Sequence, residues 1–195
     1  YQELQVLPGT FIPQPALDYP QENPFESTLF PKHVKDIVFD EHYPYLDDSI
    51  TYKFNTIWGY YLIVHFFLRL KLRLQMGLRI KGREVLKQYK QELSHGAITI
   101  ANHVYRLDCP CVLLAVNAKH TTRIPMFAPN FRTKDGFFMR LAGGVPIPDS
   151  TTNMSALKKF NEAFDEFHRR GWWFHIFPEA CRWDFYKPLR PFQKG

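Results

Sequence analysis

Two short apolar runs, residues 97–101 (Ala-Ile-Thr-Ile-Ala) and 172–177 (Trp-Trp-Phe-His-Ile-Phe), constrain the fold more than any other feature of the chain. Each is too short for a globular helix and rich in β-branched or aromatic side chains, the signature of a strand. Past Gly82 they sit in an alternating series. Helices are predicted over 83–93, 110–117, 134–142 and 155–170, strands over 97–101, 123–127 and 172–177, and an extended piece over 144–148. Such alternation predicts an α/β fold, with a mixed, largely parallel sheet flanked by helices. In the longest helix Leu157, Phe160, Phe164 and Phe167 recur at helical spacing and read as core, and Gly171 supplies a stop behind His168, Arg169 and Arg170.

Upstream the character changes twice. Residues 1–53 carry seven prolines, 9 of the 19 acidic residues and 3 of the 25 basic ones, a net charge of −6 that leaves +12 for the remainder. This reads as an extended, Pro-rich arm that charge attraction can draw onto the basic part; a disordered linker fits the composition equally well. Residues 57–68 are then almost unbroken apolar sequence rich in aromatics, shorter than the roughly 20 residues needed to span a bilayer. Immediately afterwards leucines alternate with basic residues, a period of two that predicts a strand over 74–81 after a helix over 54–72. The aromatic helix and its basic collar suit shallow insertion at an anionic, cytoplasmic membrane face as a peripheral or monotopic element. A core-packing helix is the alternative. The expected organisation is therefore an arm at 1–53 and a domain at 54–195 whose catalytic core spans 74–195.

Chemistry concentrates just past the two strands. After the first comes Asn102-His103-Val104-Tyr105-Arg106-Leu107-Asp108, and after the second Pro178-Glu179-Ala180-Cys181-Arg182. A five-residue step on a continuous helix would leave His103 and Asp108 about 140° apart, so the pair can meet only across a turn. There Asp108 can fix the imidazole tautomer while the other nitrogen takes a proton from a hydroxyl. His42 and Asp47 share the spacing but lie in a Pro- and Asp-rich stretch with no strand before them. A base with its orienting carboxylate, plus a distant Glu/Arg pair able to grip a polar acceptor, is equipment for acyl transfer to an alcohol. On spacing alone, a structural His with Asp108 capping a helix fits as well.

Taken together, in this order, the segment 78–195 resembles the glycerolipid acyltransferases that acylate lysophosphatidate and related lysophospholipids. The resemblance assigns His103 and Asp108 to the family's Asn-His-x4-Asp catalytic block. It matches Gly144 and the residues to Ile147 with a glycine-containing acceptor block, and Glu179 and Arg182 with the Phe-Pro-Glu-Gly-Thr-Arg block. Residues 76–82 resemble the family's opening strand and residues 191–195 its segment after the third block, with a further strand expected past Gly195. What it implies is an O-acyltransferase of phospholipid biosynthesis, 1-acylglycerol-3-phosphate acyltransferase-like, using acyl-CoA or acyl carrier protein as donor substrate and no cofactor or metal. Three departures stand out: Pro148-Asp149-Ser150 where an arginine for phosphate is usual, Ala180 for glycine and Cys181 for threonine. Arg132, Lys134 or Arg140 could compensate for the missing arginine. Phe137, Phe138, Met139 and Leu141 are candidates for touching a fatty chain.

Other readings are weaker. Three cysteines do not make a disulfide framework. Cys109-Pro110-Cys111 lacks paired zinc-ligand spacing. Cys181 as nucleophile with His175 as base would place the two about 20 Å apart on an extended strand. A catalytically silent membrane- or lipid-binding module is the alternative function. Nucleic acid is not an expected partner, because the basic residues alternate with aliphatic rather than stacking side chains.

Overall fold

Residues 35–116, 121–150, 152–180, 182 and 192 are described by a computed structural model. Residues 1–34 of the arm, Cys181 and the 191–195 segment apart from Phe192 therefore lie outside the described residues. Four three-residue strands form the centre: β1 (Ile98–Ile100), β2 (Ile124–Met126), β3 (Gly144–Pro146) and β4 (Phe174–Ile176). β1 pairs with β4 and β2 with β3, both in parallel, and a parallel bridge between Arg123 and Phe174 joins the two pairs. At that bridge the Arg123 N–H donates to Trp173 O at 2.8 Å and accepts the His175 N–H on its own carbonyl at 2.9 Å. The strands thus lie in the order β1-β4-β2-β3. Parallel pairing needs crossovers, and α3 (Asp108–Ala115), α4 (Gly136–Leu141) and α5 (Met154–Arg169) supply them. The architecture is α/β, and every strand pairing among the described residues is parallel.

The segment after the arm departs from the expectation. α1 (Ile50–Gly59) starts at Ser49, whose hydroxyl accepts the Tyr52 N–H at 3.2 Å, and helical winding continues to Gln75 through π-type stretches Tyr60–Leu68 and Lys71–Gln75. The predicted strand over 74–81 does not form, and residues 76–82 run irregularly to α2 (Arg83–Gln88). Leu74 and Gln75, good helix formers, extend the winding, and behind them Gly77 at φ +66 breaks an extended run that holds no β-branched residue before Ile80. Its period-two leucines consequently split, Leu72 buried and Leu70 and Leu74 exposed. The residues facing inward, Tyr60, Val64, Leu68 and Leu72, recur every four positions. A four-residue repeat drifts by about 40° per step on an α-helix, so wider π winding brings them into line. Tyr60, Val64 and Leu72 pack with Leu113 and Leu114 of α3 and Ile124 of β2 as one buried cluster. No helix among the described residues is long and apolar enough to cross a membrane.

α5 covers the sheet from its own side. Ala163 and Phe167 are buried with Val145, Phe174 and the arm's Tyr45, and Phe160 and Phe164 pack against them, so the three phenylalanines of the stripe are core, with Leu157 half-buried. Asn153 caps the helix by accepting the Ala156 N–H at 3.1 Å. The described part of the arm lies against the basic core. Phe39 is buried with Ala128 and Phe131, Asp48 pairs with Arg170 at 2.7 Å and Asp47 with Arg140 at 3.0 Å. Asp149 accepts from the Phe39 N–H at 2.8 Å and from Arg132 at 2.5 Å.

Candidate active site

Parallel register brings the two blocks together. β1 and β4 pair Ile100 with Ile176, and His103 and Glu179 each follow three residues later, so both leave the same end of adjacent strands. That is where open α/β sheets place their ligands. Glu179, 2 % exposed, accepts the His103 backbone N–H through Oε2 at 3.4 Å. The carboxylate matched to acceptor binding thereby braces the loop that carries the imidazole.

Asp108 is the first residue of α3, and its side chain turns back over the loop. Oδ2 accepts the Val104 and Tyr105 N–H groups at 2.7 Å each and lies 2.9 Å from His103 Nδ1. A carboxylate held by backbone donors stays acceptor-only, so Nδ1 carries the proton and Nε2 remains the basic nitrogen. Helix capping does not account for this placement, because the carboxylate bonds residues before the helix rather than its first turn. The His103 side chain keeps about a fifth of its surface accessible (21 %). One face of the ring stacks on Phe177 at 4.2 Å and 20°.

The other matched residues lie elsewhere. Arg182 is near enough to Cys109 for its charge to act on that thiol, which places it beside the start of α3. Gly144 opens β3 and is buried; a Cβ there would come within 2.9 Å of Met126 Sδ and the Met139 carbonyl. Arg140 is paired with Asp47 and lies over the Tyr43 and Tyr52 rings at 5.5 and 4.8 Å. Arg132 is taken up by Asp149 and by Ile37 O at 2.8 Å. The structure thus gathers His103, Asp108 and Glu179 with Arg182 near the first turn of α3, whereas Gly144 and Arg140 belong to the β3 and α4 side.

Phe177, His175 and Thr99 also meet at the site; sequence reasoning gave Thr99 and Phe177 no role of their own there and weighed His175 only as a base for Cys181. The available signal was their position, since Thr99 and His175 alternate inward on strands that precede the two blocks. His175, 1 % exposed, has its Nδ1 2.9 Å from Thr99 Oγ1; its reading as a base for Cys181 falls on a residue outside those described. Burial, with His103 nearby, lowers its pKa to about 4, so it is neutral at ordinary pH. Burial likewise pushes the Cys109 thiol up to about 12, helped by the Asp108 charge, and raises Cys111. Thiols held protonated in this way are poor nucleophiles. Among the described residues no three His, Cys, Asp or Glu side chains cluster as a metal site.

A family model described as Acyltransferase matches residues 77–195. The chain matches no curated protein and no solved structure. With more than half of its length covered, and with His103, Asp108 and Glu179 gathered at one end of the sheet, the chain belongs to the Acyltransferase family of glycerolipid acyltransferases and is an acyl-transfer enzyme.

Proposed function

We propose that the protein transfers a fatty acyl group from an acyl thioester, acyl-CoA or acyl carrier protein, to a hydroxyl of a lysophospholipid or glycerol-phosphate acceptor. His103 Nε2 removes the hydroxyl proton as the oxygen attacks the thioester carbonyl carbon. The tetrahedral intermediate collapses by breaking the C–S bond, and the departing sulfur takes the proton back from the imidazolium, which Asp108 stabilises meanwhile. No acyl-enzyme, cofactor or metal enters this sequence. Arg182 and Glu179 serve the acceptor's polar end, and Gly144 lets the β3 backbone approach closely. Arg140 acts on the acceptor only when the Asp47 pair opens. The observation that carries this reading is the 2.9 Å contact between His103 Nδ1 and Asp108 Oδ2 at the shared end of β1 and β4.

Exposed Phe54, Trp58, Phe66, Phe67 and Leu74 line the long helical segment, and an open groove of about 290 Å³ between it and α4 is walled by Phe54, Trp58, Phe137, Phe138 and Leu141. An aromatic surface of this kind beside Arg69, Lys71 and Arg73 supports work at the cytoplasmic face of an anionic membrane. The test is thioester-dependent acylation of lysophosphatidate, followed as CoA release and by lipid mass spectrometry. His103→Ala is expected to abolish it with an unchanged circular dichroism spectrum. Retained turnover in that variant removes His103 from the mechanism, and wild-type binding to anionic vesicles without any acylation across a lysolipid panel favours a silent lipid-binding module.

A further inference from the structure

Thr99, His175 and Phe177 form a line of contact that ends on His103, and the acyl-transfer steps do not themselves use it. The β1 and β4 register sets Thr99 opposite His175. Thr99 Oγ1 donates to Phe174 O at 3.1 Å and lies 2.9 Å from His175 Nδ1. A hydroxyl has one hydrogen to give, so Nδ1 is the donor to Oγ1 and Nε2 is the bare nitrogen. Among the described residues that Nε2 is buried without a hydrogen-bond partner, an arrangement native packing rarely keeps without a reason. The same ring meets Phe177 in a T-shaped contact at 4.5 Å and 83°, and Phe177 in turn lies face-on to His103 at 4.2 Å.

We propose that His175 is a positioning residue for His103. The bond to Asp108 fixes where Nδ1 sits, but a single hydrogen bond leaves the ring free to tilt about it. Phe177 removes that tilt by lying flat on the imidazole, and His175, anchored by Thr99, stops Phe177 from sliding. The supporting contacts around a reacting group hold its geometry in this way. This inference rests on His103 being the base.

The test uses the full chain with an acyl-CoA donor and lysophosphatidate, and reads both kinetics and the ring nitrogens of ¹⁵N-histidine by NMR. His175→Ala is expected to lower kcat about 10- to 100-fold, the scale of a small misplacement at a reacting centre. KM for both substrates should stay within about twofold, and the His103 Nδ1–H resonance should broaden. His175→Phe keeps an aromatic ring against Phe177 and is expected to restore kcat to within about threefold of wild type. Unchanged kcat and an unbroadened His103 signal in His175→Ala, or a His175→Phe protein as impaired as His175→Ala, overturns the proposal. If His175→Ala does not fold, Phe177→Leu interrupts the same line and must show the same kcat loss and broadening; unchanged values there overturn it. Turnover surviving His103→Ala would defeat the base assignment alone, because the NMR comparison still reports whether His175 orders the ring.

Discussion

Asp108 Oδ2 accepts from Val104 N–H, Tyr105 N–H and His103 Nδ1 at once, so one oxygen shapes the loop and selects the tautomer. Asp108→Asn is expected to lower kcat by about 10³- to 10⁴-fold through loss of that tautomer control, and the urea midpoint should fall as charge-assisted bonds are lost. Ala180 is at φ +61, a left-handed conformation taken otherwise only by glycines among the described residues. That conformation costs a non-glycine residue about 1–2 kcal/mol, whereas glycine adds about 0.5–1 kcal/mol of folding entropy cost. Ala180→Gly should therefore raise stability by up to about 1.5 kcal/mol, and Ala180→Val should lower it, both read by chemical denaturation. His175 sets an acid limit. Its pKa is lowered to about 4 in the folded chain against an ordinary 6.5, by burial first, with His103 and Asp108 as its titratable neighbours. Above pH 6.5 both states are neutral and stability is full. As pH falls from 6.5 to 4 the unfolded chain alone takes up the proton, so stability should drop by about 3 kcal/mol and level off below. His175→Phe should flatten that part of the curve; an unaltered curve would mean another group is responsible.

At the scale of elements, Asp149 fastens the arm. It bonds the Phe39 N–H and Arg132, whose guanidinium lies 5.1 Å from the Phe39 ring centre. Asp149→Ala is expected to cost about 1–3 kcal/mol and to expose the chain near Phe39 to limited proteolysis. Protection equal to wild type would show that apolar packing alone holds the arm. The position where an acceptor-phosphate arginine was sought is thus occupied by an acidic clamp. Elements with a single consistent signal were legible in the sequence: α5 has its stripe and stop, and β1 and β4 have their short apolar runs. Residues 74–81 were not, because a period-two leucine pattern competed with helix propensity and with a helix already under way. Winding continued because extending a helix orders one residue for each bond gained, whereas a new strand needs a partner. The same stretch yields a membrane prediction. Exchanging Phe66 and Phe67 for Ser should weaken binding to anionic vesicles by at least about tenfold without altering the thermal midpoint.

For the whole molecule, a net charge of +6 overlies an arm of opposite sign. Vesicle binding should therefore weaken between low and physiological salt, as screening shortens the reach of the basic surface. Pairing within the site could be read from the spacing of His103 and Asp108 with a strand before them. The Glu179 contact could not, because it depends on β1 and β4 being neighbours in matching register although 73 residues separate Ile100 from Phe174. Likewise the engagement of Arg140 and Arg132 by the arm depends on tertiary contact with a segment whose composition suited a linker equally well.

The two strand pairs touch through the main chain of Arg123. On one side of that joint stand the imidazole, Asp108 and Glu179; on the other stands the glycine-bearing β3. A proline at 123 would delete the amide that bonds Trp173 and leave the seam between the two strand pairs with only the bond from the His175 N–H to the carbonyl of residue 123.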